Sequence, residues 1–372
     1  MAGYPGAERE RRVEHERLTQ AVSRVFEACD MSGSDARLLA STLTAADLRG
    51  IHSHGVMRVP DYVGRLSPPE SAARSAIAGV RGGVNPRAVP RVSRDAGAML
   101  LVDADNGMGQ IGCDFAMQRA IERAREVGMA FVAVGNSNHC GGLFWYVEKA
   151  VAAGMIGFAS TNALPTMAPW GGTDRIVGMN PLAIGIPAGD RPHFIMDSAF
   201  AACARGKVVV YHQKGEPLVP GWALDRNGQP TTDAGAALDG LLRPIGDYKG
   251  VNLAMAMGVL STLLSGAGYG TALGNLDDGP VAGRDGHFVM ALNISALVDL
   301  DGFRREMDAV IDQVHQSGRA PGVDRIWSAG ELEAETAHRY ARQGIPLNAE
   351  TLQQLATTAA GLGVDLGVDL DL

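Results

Sequence analysis

Cysteine is scarce in this 372-residue chain: Cys29, Cys113, Cys140 and Cys203 stand far apart, and none falls in a Cys-x-x-Cys pair. That excludes a disulfide framework and a paired-cysteine zinc site, and it points to reduced thiols in a cytoplasmic protein. Basic runs are missing too. The formal net charge is -8 and Lys and Arg nowhere cluster, which argues against nucleic acid as a partner. No apolar run reaches bilayer-spanning length, and the first residues are charged where a secretory signal needs an apolar centre. Metal-ligand spacing is absent: His52 and His54 alternate rather than stand four apart, with no flanking carboxylate pair. No metal is expected.

What is present is a composition of 46% hydrophobic and 20% charged residues, suited to a globular enzyme of roughly two or three lobes. Residues 1–16 read as a charged, solvated arm. Apolar residues recur at helical spacing over 18–28 and 34–48, with Ser34 as N-cap of the second helix. A third helix starts after Gly55, with Pro60 in its first turn. Residues 67–94 read as linker. Short strands are expected at 98–102, 129–134, 156–160, 184–186, 193–196, 207–211 and 288–294, and helices at 114–127, 144–153, 253–265, 301–316 and 331–343. The helix at 331–343 is expected to pack on the N-terminal helices. Residues 266–286 form a Gly-rich loop, and the repetitive end from 361 has no core of its own.

The densest chemistry lies in Arg49-Gly50-Ile51-His52-Ser53-His54-Gly55, followed by Arg58 and Tyr62. Imidazoles move protons near neutral pH, and a guanidinium grips a carboxylate through two parallel hydrogen bonds. The stretch is a candidate site for an enzyme acting beside a carboxylate. A second candidate is Asn136-Ser137-Asn138-His139-Cys140-Gly141-Gly142, in a loop between a strand and a helix. His139 could be a general acid or base, or simply cap the next helix. Cys140 lacks the orienting third group that a thiol nucleophile requires.

Gly107-Met108-Gly109-Gln110-Ile111-Gly112 matches G-x-G-x-x-G between a strand and a helix. The ribose-binding acid at the end of the next strand is missing, since that strand runs into Gly135-Asn136-Ser137, so a Rossmann site is not expected. Asp197, after its strand, could bind a ribose, orient a histidine or cap a helix. Lys249, in Tyr248-Lys249-Gly250, could reach a phosphate or be a plain surface lysine, and Arg284 is a weaker phosphate candidate.

Read in order from about residue 16 to 350, these segments resemble the malate/L-lactate dehydrogenase family. The resemblance also rests on Ala46-Asp47-Leu48, Ala168-Pro169-Trp170-Gly171-Gly172, Gly178-Met179-Asn180-Pro181-Leu182-Ala183, Gly221-Trp222-Ala223-Leu224-Asp225 and Pro230-Thr231-Thr232-Asp233. It implies an α/β fold with a mixed-sheet, non-Rossmann NAD(P)-binding core and a helical domain formed by both chain ends. The expected division is 1–16 arm, 17–75 helical domain, 76–298 core, 299–355 helical domain again and 356–372 tail. It implies a homodimer that moves a hydride between nicotinamide and C2 of a 2-hydroxy or 2-oxo acid.

By the same resemblance the substrate carboxylate sits on Arg58 with Ser53 and Tyr62, and His54 or His139 handles the proton. Asp197 orients a histidine or meets the cofactor, and Ser198, Ala199, Tyr248 and Lys249 match cofactor-contacting segments. Two places depart from the family pattern: Asp197-Ser198-Ala199, and Ala329-Gly330-Glu331 in a turn that approaches the cofactor. NAD is the expected cofactor, with NADP possible. A cyclic imine reductase is the alternative chemistry. A non-catalytic dinucleotide-binding protein is the alternative class, disfavoured by the intact His54, Arg58 and His139.

Overall fold

The protein is described by a computed structural model covering residues 10–66, 83–273 and 284–366. Much of the 67–94 linker and the 266–286 loop, and the last six residues, lie outside the described residues. The chain starts with β1 (Arg11–Val13), α1 (His15–Glu27), α2 (Gly33–Leu48), two single turns (His52–His54 and Val56–Arg58) and α3 (Val59–Leu66). Then follow β2 (Arg91–Ala96), β3 (Met99–Gly107), α4 (Gly109–Val127), β4 (Met129–Ser137), α5 (Phe144–Ala152) and β5 (Met155–Thr161). The middle holds β6 (Pro165–Met167), β7 (Val177–Gly178), β8 (Leu182–Ile186), β9 (Phe194–Ser198), α6 (Arg205–Lys214), β10 (Ala223–Leu224), β11 (Pro230–Thr231), α7 (Ala234–Asp239) and β12 (Leu241–Leu242). Last come α8 (Tyr248–Thr262), β13 (Asp285–Asn293), α9 (Leu300–His315), α10 (Glu331–Gln343), β14 (Ile345–Leu347) and α11 (Ala349–Gly361).

The central sheet has seven strands in the order β2-β3-β4-β13-β5-β8-β9. Only β3 and β4 run parallel, joined through α4; every other neighbour pair is antiparallel. This is the mixed, non-Rossmann sheet expected. Strand alternation separates its faces. Val132, Val134, Ala159, Val289 and Ala291 point to α4 and α5 in one apolar core. Gly135 and Gly286 point the other way, where an added Cβ would meet Ser265 or Ser261 at the end of α8. None of the described helices is long and apolar enough to cross a membrane.

A second core gathers α1, α2 and α3 with residues from α10, β14 and α11, among them Leu18, Phe26, Leu39, Tyr62, Tyr340 and Leu355. Several expectations are corrected here. The arm is partly structured: Arg11–Val13 pairs antiparallel with Ile345–Leu347, and Val13 is buried. Ser32, not Ser34, caps α2, its hydroxyl accepting the Asp35 N–H. Part of the linker is strand β2, paired with β3. The segment from 356 has a core after all, since Ala359 and Leu366 are buried among the N-terminal helices.

Residues 207–211, expected as a strand, lie in α6. The Val-Val-Val run suggests β propensity, but packing of Val208 against the cluster with Ala234 and Ala237 of α7 overrides it. Gly215, in the left-handed region, ends that helix.

Candidate active site

The turn between α2 and α3 is built around one buried carboxylate. Asp47 accepts the Val56 N–H at 2.7 Å and meets His52 Nδ1 at 2.6 Å. A Cβ on Gly55 would sit within 2.1–2.3 Å of that carboxylate, so the chain can close over Asp47 only with glycine there. Burial raises the Asp47 pKa, with His52 and the Val56 amide acting against it. Arg49 grips both oxygens of Glu148 on α5 at 2.7 and 2.6 Å and lies 4.6 Å over the Phe144 ring. Both Arg49 and His52 therefore hold the turn and dock it on the sheet half.

His54, Arg58, Tyr62 and His139 come together at the junction. The His54 and His139 rings stack with centroids 6.0 Å apart. Ser53 Oγ lies 3.0 Å from His54 Nδ1. Arg58 donates from Nε to the Ser53 carbonyl at 2.9 Å and from Nη1 to Asp61 at 3.1 Å, and Nη2 makes no hydrogen bond among the described residues. Tyr62 is fully buried, and its hydroxyl is 2.7 Å from His139 Nδ1 and accepts from Gln110 Nε2 at 2.9 Å. It is turned to the histidine, where the resemblance had it touching substrate. Burial, then the Arg58 charge, lowers the His54 pKa to about 4. Burial, then His54, Arg58 and His287, holds His139 well below the usual imidazole range. Both rings are neutral at pH 7.

The G-x-G-x-x-G stretch opens α4 inside a parallel β3–α4–β4 unit, the setting of a dinucleotide site. The end of that helix is filled by the protein itself. Gly109 N–H donates to the His139 carbonyl at 3.1 Å, and a Cβ on Gly109 would lie 2.1 Å from the Asn138 carbonyl oxygen. The glycines admit the His139 loop instead of a diphosphate. Asp197 secures the other end of that loop, its Oδ2 accepting the Phe144 N–H at 2.9 Å. It makes no hydrogen bond to either candidate histidine among the described residues. Its surface is exposed, yet protein surrounds it closely enough to raise its pKa to about 6, as on the wall of a cleft.

The remaining candidates spread around the sheet. Ser198 is exposed at the end of β9, with Ala199 just after it, and Arg284 is exposed just before β13. Gly330, at φ 89°, packs on Ile195 of β9, two residues from Asp197. Glu331 is buried, its Oε2 accepting from the Ser328 N–H at 2.8 Å and lying 2.9 Å from His315 Nε2, so its carboxylate serves that turn.

The first turn of α8 has no side-chain cap and contains Lys249. Exposed Tyr248 stands edge-on to exposed Trp170 with ring centroids 6.2 Å apart. A helix start without a side-chain cap, an ammonium and two aromatic faces fit the diphosphate and planar bases of a nicotinamide dinucleotide.

Folding also gathers Cys113, Cys140 and His287, buried, with ligand atoms within 4.8 Å of one another. Sequence spacing could not show this grouping, because the three come from α4, the His139 loop and β13. His287 already meets Thr161 Oγ1 at 2.7 Å and Ser137 Oγ at 2.9 Å, so the cluster is satisfied as a hydrogen-bonded set.

Comparison with known proteins places the site in a family. The malate/L-lactate dehydrogenase family model matches residues 13–356. Malate dehydrogenase of Pyrococcus horikoshii is 33% identical over 362 residues, 95% of this chain and 96% of that one. The structure of sulfolactate dehydrogenase from Methanocaldococcus jannaschii matches with a TM-score of 0.87 at 31% identity, covering 96% of this chain and 99% of its own. Delta1-piperideine-2-carboxylate reductase from Pseudomonas syringae matches with a TM-score of 0.81 at 27% identity, covering 94% and 100%.

Cofactor names differ among the relatives. Ureidoglycolate dehydrogenase (NAD(+)) of Escherichia coli is 29% identical, covering 94% of this chain and 96% of its own. The (2R)-3-sulfolactate dehydrogenase (NADP(+)) of Chromohalobacter salexigens is 34% identical, covering 81% and 86%. Fold and relatives together define an NAD(P)-dependent dehydrogenase of small 2-hydroxy acids. The chain belongs to the malate/L-lactate dehydrogenase family.

The depressed His54 pKa has a consequence for stability. An unfolded His54 protonates near 6.5 and the native one near 4, so between those values the unfolded state binds more protons. Stability from this group is complete above 6.5 and is lost as pH falls toward 4. Chemical denaturation of wild type and His54→Asn across that window should show the wild type losing roughly 1–3 kcal/mol more than the variant. Parallel pH curves would show that His54 titrates normally in the fold.

Proposed function

We propose that the cleft oxidises a small 2-hydroxy acid, or reduces the matching 2-oxo acid, with His139 as proton carrier and Arg58 as carboxylate clamp. The observation that carries this is the fixing of His139 Nδ1, which accepts from the Gly141 N–H at 3.3 Å and meets the Tyr62 hydroxyl at 2.7 Å. With that nitrogen held inside the protein, Nε2 is the atom left to exchange a proton with substrate. Arg58 Nη2, unengaged beside Ser53, supplies the cation and donor for the carboxylate. His54 stacks on His139, with Ser53 on its Nδ1, and forms a neutral wall of the substrate cleft. Asp197 holds the His139 loop in place by capping α5.

The start of α8, with Tyr248, Lys249 and Trp170, is the surface we assign to the nicotinamide dinucleotide, with Ser198, Ala199 and Gly330 nearer the cleft. When bound, the nicotinamide gives or takes the hydride at the substrate's C2. NAD is favoured because no second arginine or lysine stands in the first turn of α8 to meet a further phosphate. The reaction belongs in the cytoplasm, in keeping with four buried cysteines, none of them in a disulfide. Met255, Val259 and Leu263 leave an apolar stripe exposed along α8, the surface we assign to a homodimer. Sedimentation should find Val259→Glu monomeric and the wild type dimeric; a monomeric wild type removes this assignment.

The purified protein should turn over 2-oxo acids with NADH, or 2-hydroxy acids with NAD, faster than cyclic imines. Arg58→Ala should raise KM for the acid by roughly ten- to a hundredfold, with nucleotide binding kept. Turnover confined to cyclic imines would overturn the substrate class, and an unchanged KM would overturn the clamp.

A further inference from the structure

One feature of the sequence remains without a role in the reaction: Gln110, the residue inside the G-x-G-x-x-G stretch that binds no diphosphate here. Its side chain is fully buried. Nε2 donates to the Tyr62 hydroxyl at 2.9 Å, while Oε1 is buried with no hydrogen-bond partner. A fully buried amide with an unmet oxygen costs about 1–3 kcal/mol, so its place beside Tyr62 calls for a reason.

The reason lies in the polarity of the chain Gln110–Tyr62–His139. As the bonds stand, Gln110 Nε2–H donates to Tyr62 Oη, Tyr62 Oη–H donates to His139 Nδ1, and the Gly141 N–H donates to the same nitrogen. A neutral His139 must then carry its proton on Nε2. Such a ring can offer a proton to substrate but cannot accept one there. Turning the Gln110 amide end for end reverses the two bonds of the Tyr62 hydroxyl and gives up the one from the Gly141 N–H. Tyr62 Oη–H then donates to Oε1, Nδ1–H donates to Tyr62 Oη, and Nε2 presents a lone pair. Each orientation leaves one end of the amide unmet, and the turned one also leaves the Gly141 N–H without Nδ1 as acceptor, so the present orientation is the resting one.

We propose that Gln110 is a positioning residue that decides, through Tyr62, whether Nε2 of His139 offers a proton or a lone pair. This rests on the reading of His139 as proton carrier. In the oxidising direction the substrate hydroxyl proton passes to the Nε2 lone pair as its C2 hydride leaves to the nicotinamide. The resulting imidazolium keeps Nδ1–H on Tyr62 and Tyr62 Oη–H on Gln110 Oε1, then loses its Nε2 proton to water. In the reducing direction the same imidazolium gives that proton to the substrate oxygen. The turned amide is thus the working arrangement in both directions, and the other is the resting one.

The groups that face His139 are His54 and Arg58 from the turns before α3, Tyr62 from α3, His287 from β13 and the adjoining Cys140. Among them only the Tyr62 link passes on the polarity of Gln110.

The test is a tautomer measurement on the full-length protein labelled with nitrogen-15 histidine, read from long-range proton–nitrogen NMR spectra. Wild type should show the His139 proton on Nε2. Gln110→Glu, which sets an acceptor against Tyr62, should move it to Nδ1 and raise the His139 pKa by about one unit. The acid limb of kcat/KM against pH should rise with it. Adding Tyr62→Phe to Gln110→Glu should cut the link and return the proton to Nε2, a control that also separates the effect from general loosening.

A proton that stays on Nε2 in Gln110→Glu overturns the proposal, as does one that stays on Nδ1 when Tyr62→Phe is added. If Gln110→Glu does not fold, Gln110→Leu decides it: with no amide to turn, His139 should keep its proton on Nε2 while oxidation of the hydroxy acid falls at least about tenfold, and oxidation at the wild-type rate overturns it. A tautomer that moves while the pH profile stays put supports the positioning role and removes His139 as the proton carrier.

Discussion

The hydrogen bond between the Tyr62 hydroxyl and Nδ1 of His139 is the interaction on which the site depends. Tyr62 belongs to the helical core drawn from both chain ends, and His139 to the loop leaving the central sheet. One part-buried bond therefore joins the half that carries Arg58 to the half that carries His139. Its loss would leave the Tyr62 hydroxyl to Gln110 Nε2 and His139 Nδ1 to the Gly141 N–H, at a cost of about 0.5–1.5 kcal/mol. Arg49 and Glu148 brace the same junction at the surface, and Asp197 fixes the far end of the loop.

Electrostatics at the junction follow from this packing. Two imidazoles are placed side by side near a guanidinium, so neither carries a second proton at pH 7. Among the described residues, Asp61 is the carboxylate paired with Arg58. The cleft therefore keeps a net attraction for an anion while its histidines stay neutral. In the proposed reaction a substrate carboxylate would supply the missing charge and favour the imidazolium that reduction requires.

Much of this was legible in the residues. The 49–62 and 136–142 stretches contain the groups the structure brings together, because both are loops at element ends where local chemistry is dense. The helix spacing over 331–343 and the missing ribose acid after β4 were equally readable. Other parts depend on distant packing. Asp47 looks like an ordinary helical residue until Gly55 closes over it, and Gln110 is hidden in a motif that suggests another use. The Val-Val-Val run at 208–210 reads as a strand because local propensity carries no record of the neighbouring helix. The end of the chain reads as tail because Ala359 and Leu366 find their partners some three hundred residues earlier in the sequence.

The account's central claim is that His139, and not its stacked neighbour His54, moves the substrate proton. Single-turnover hydride transfer in His139→Asn and His54→Asn, followed by nicotinamide absorbance at saturating nucleotide and acid, tests it most directly. The account predicts a loss of about 10²- to 10⁴-fold in His139→Asn and less than about tenfold in His54→Asn. A large loss in His54→Asn alone, with His139→Asn near wild type, would contradict it.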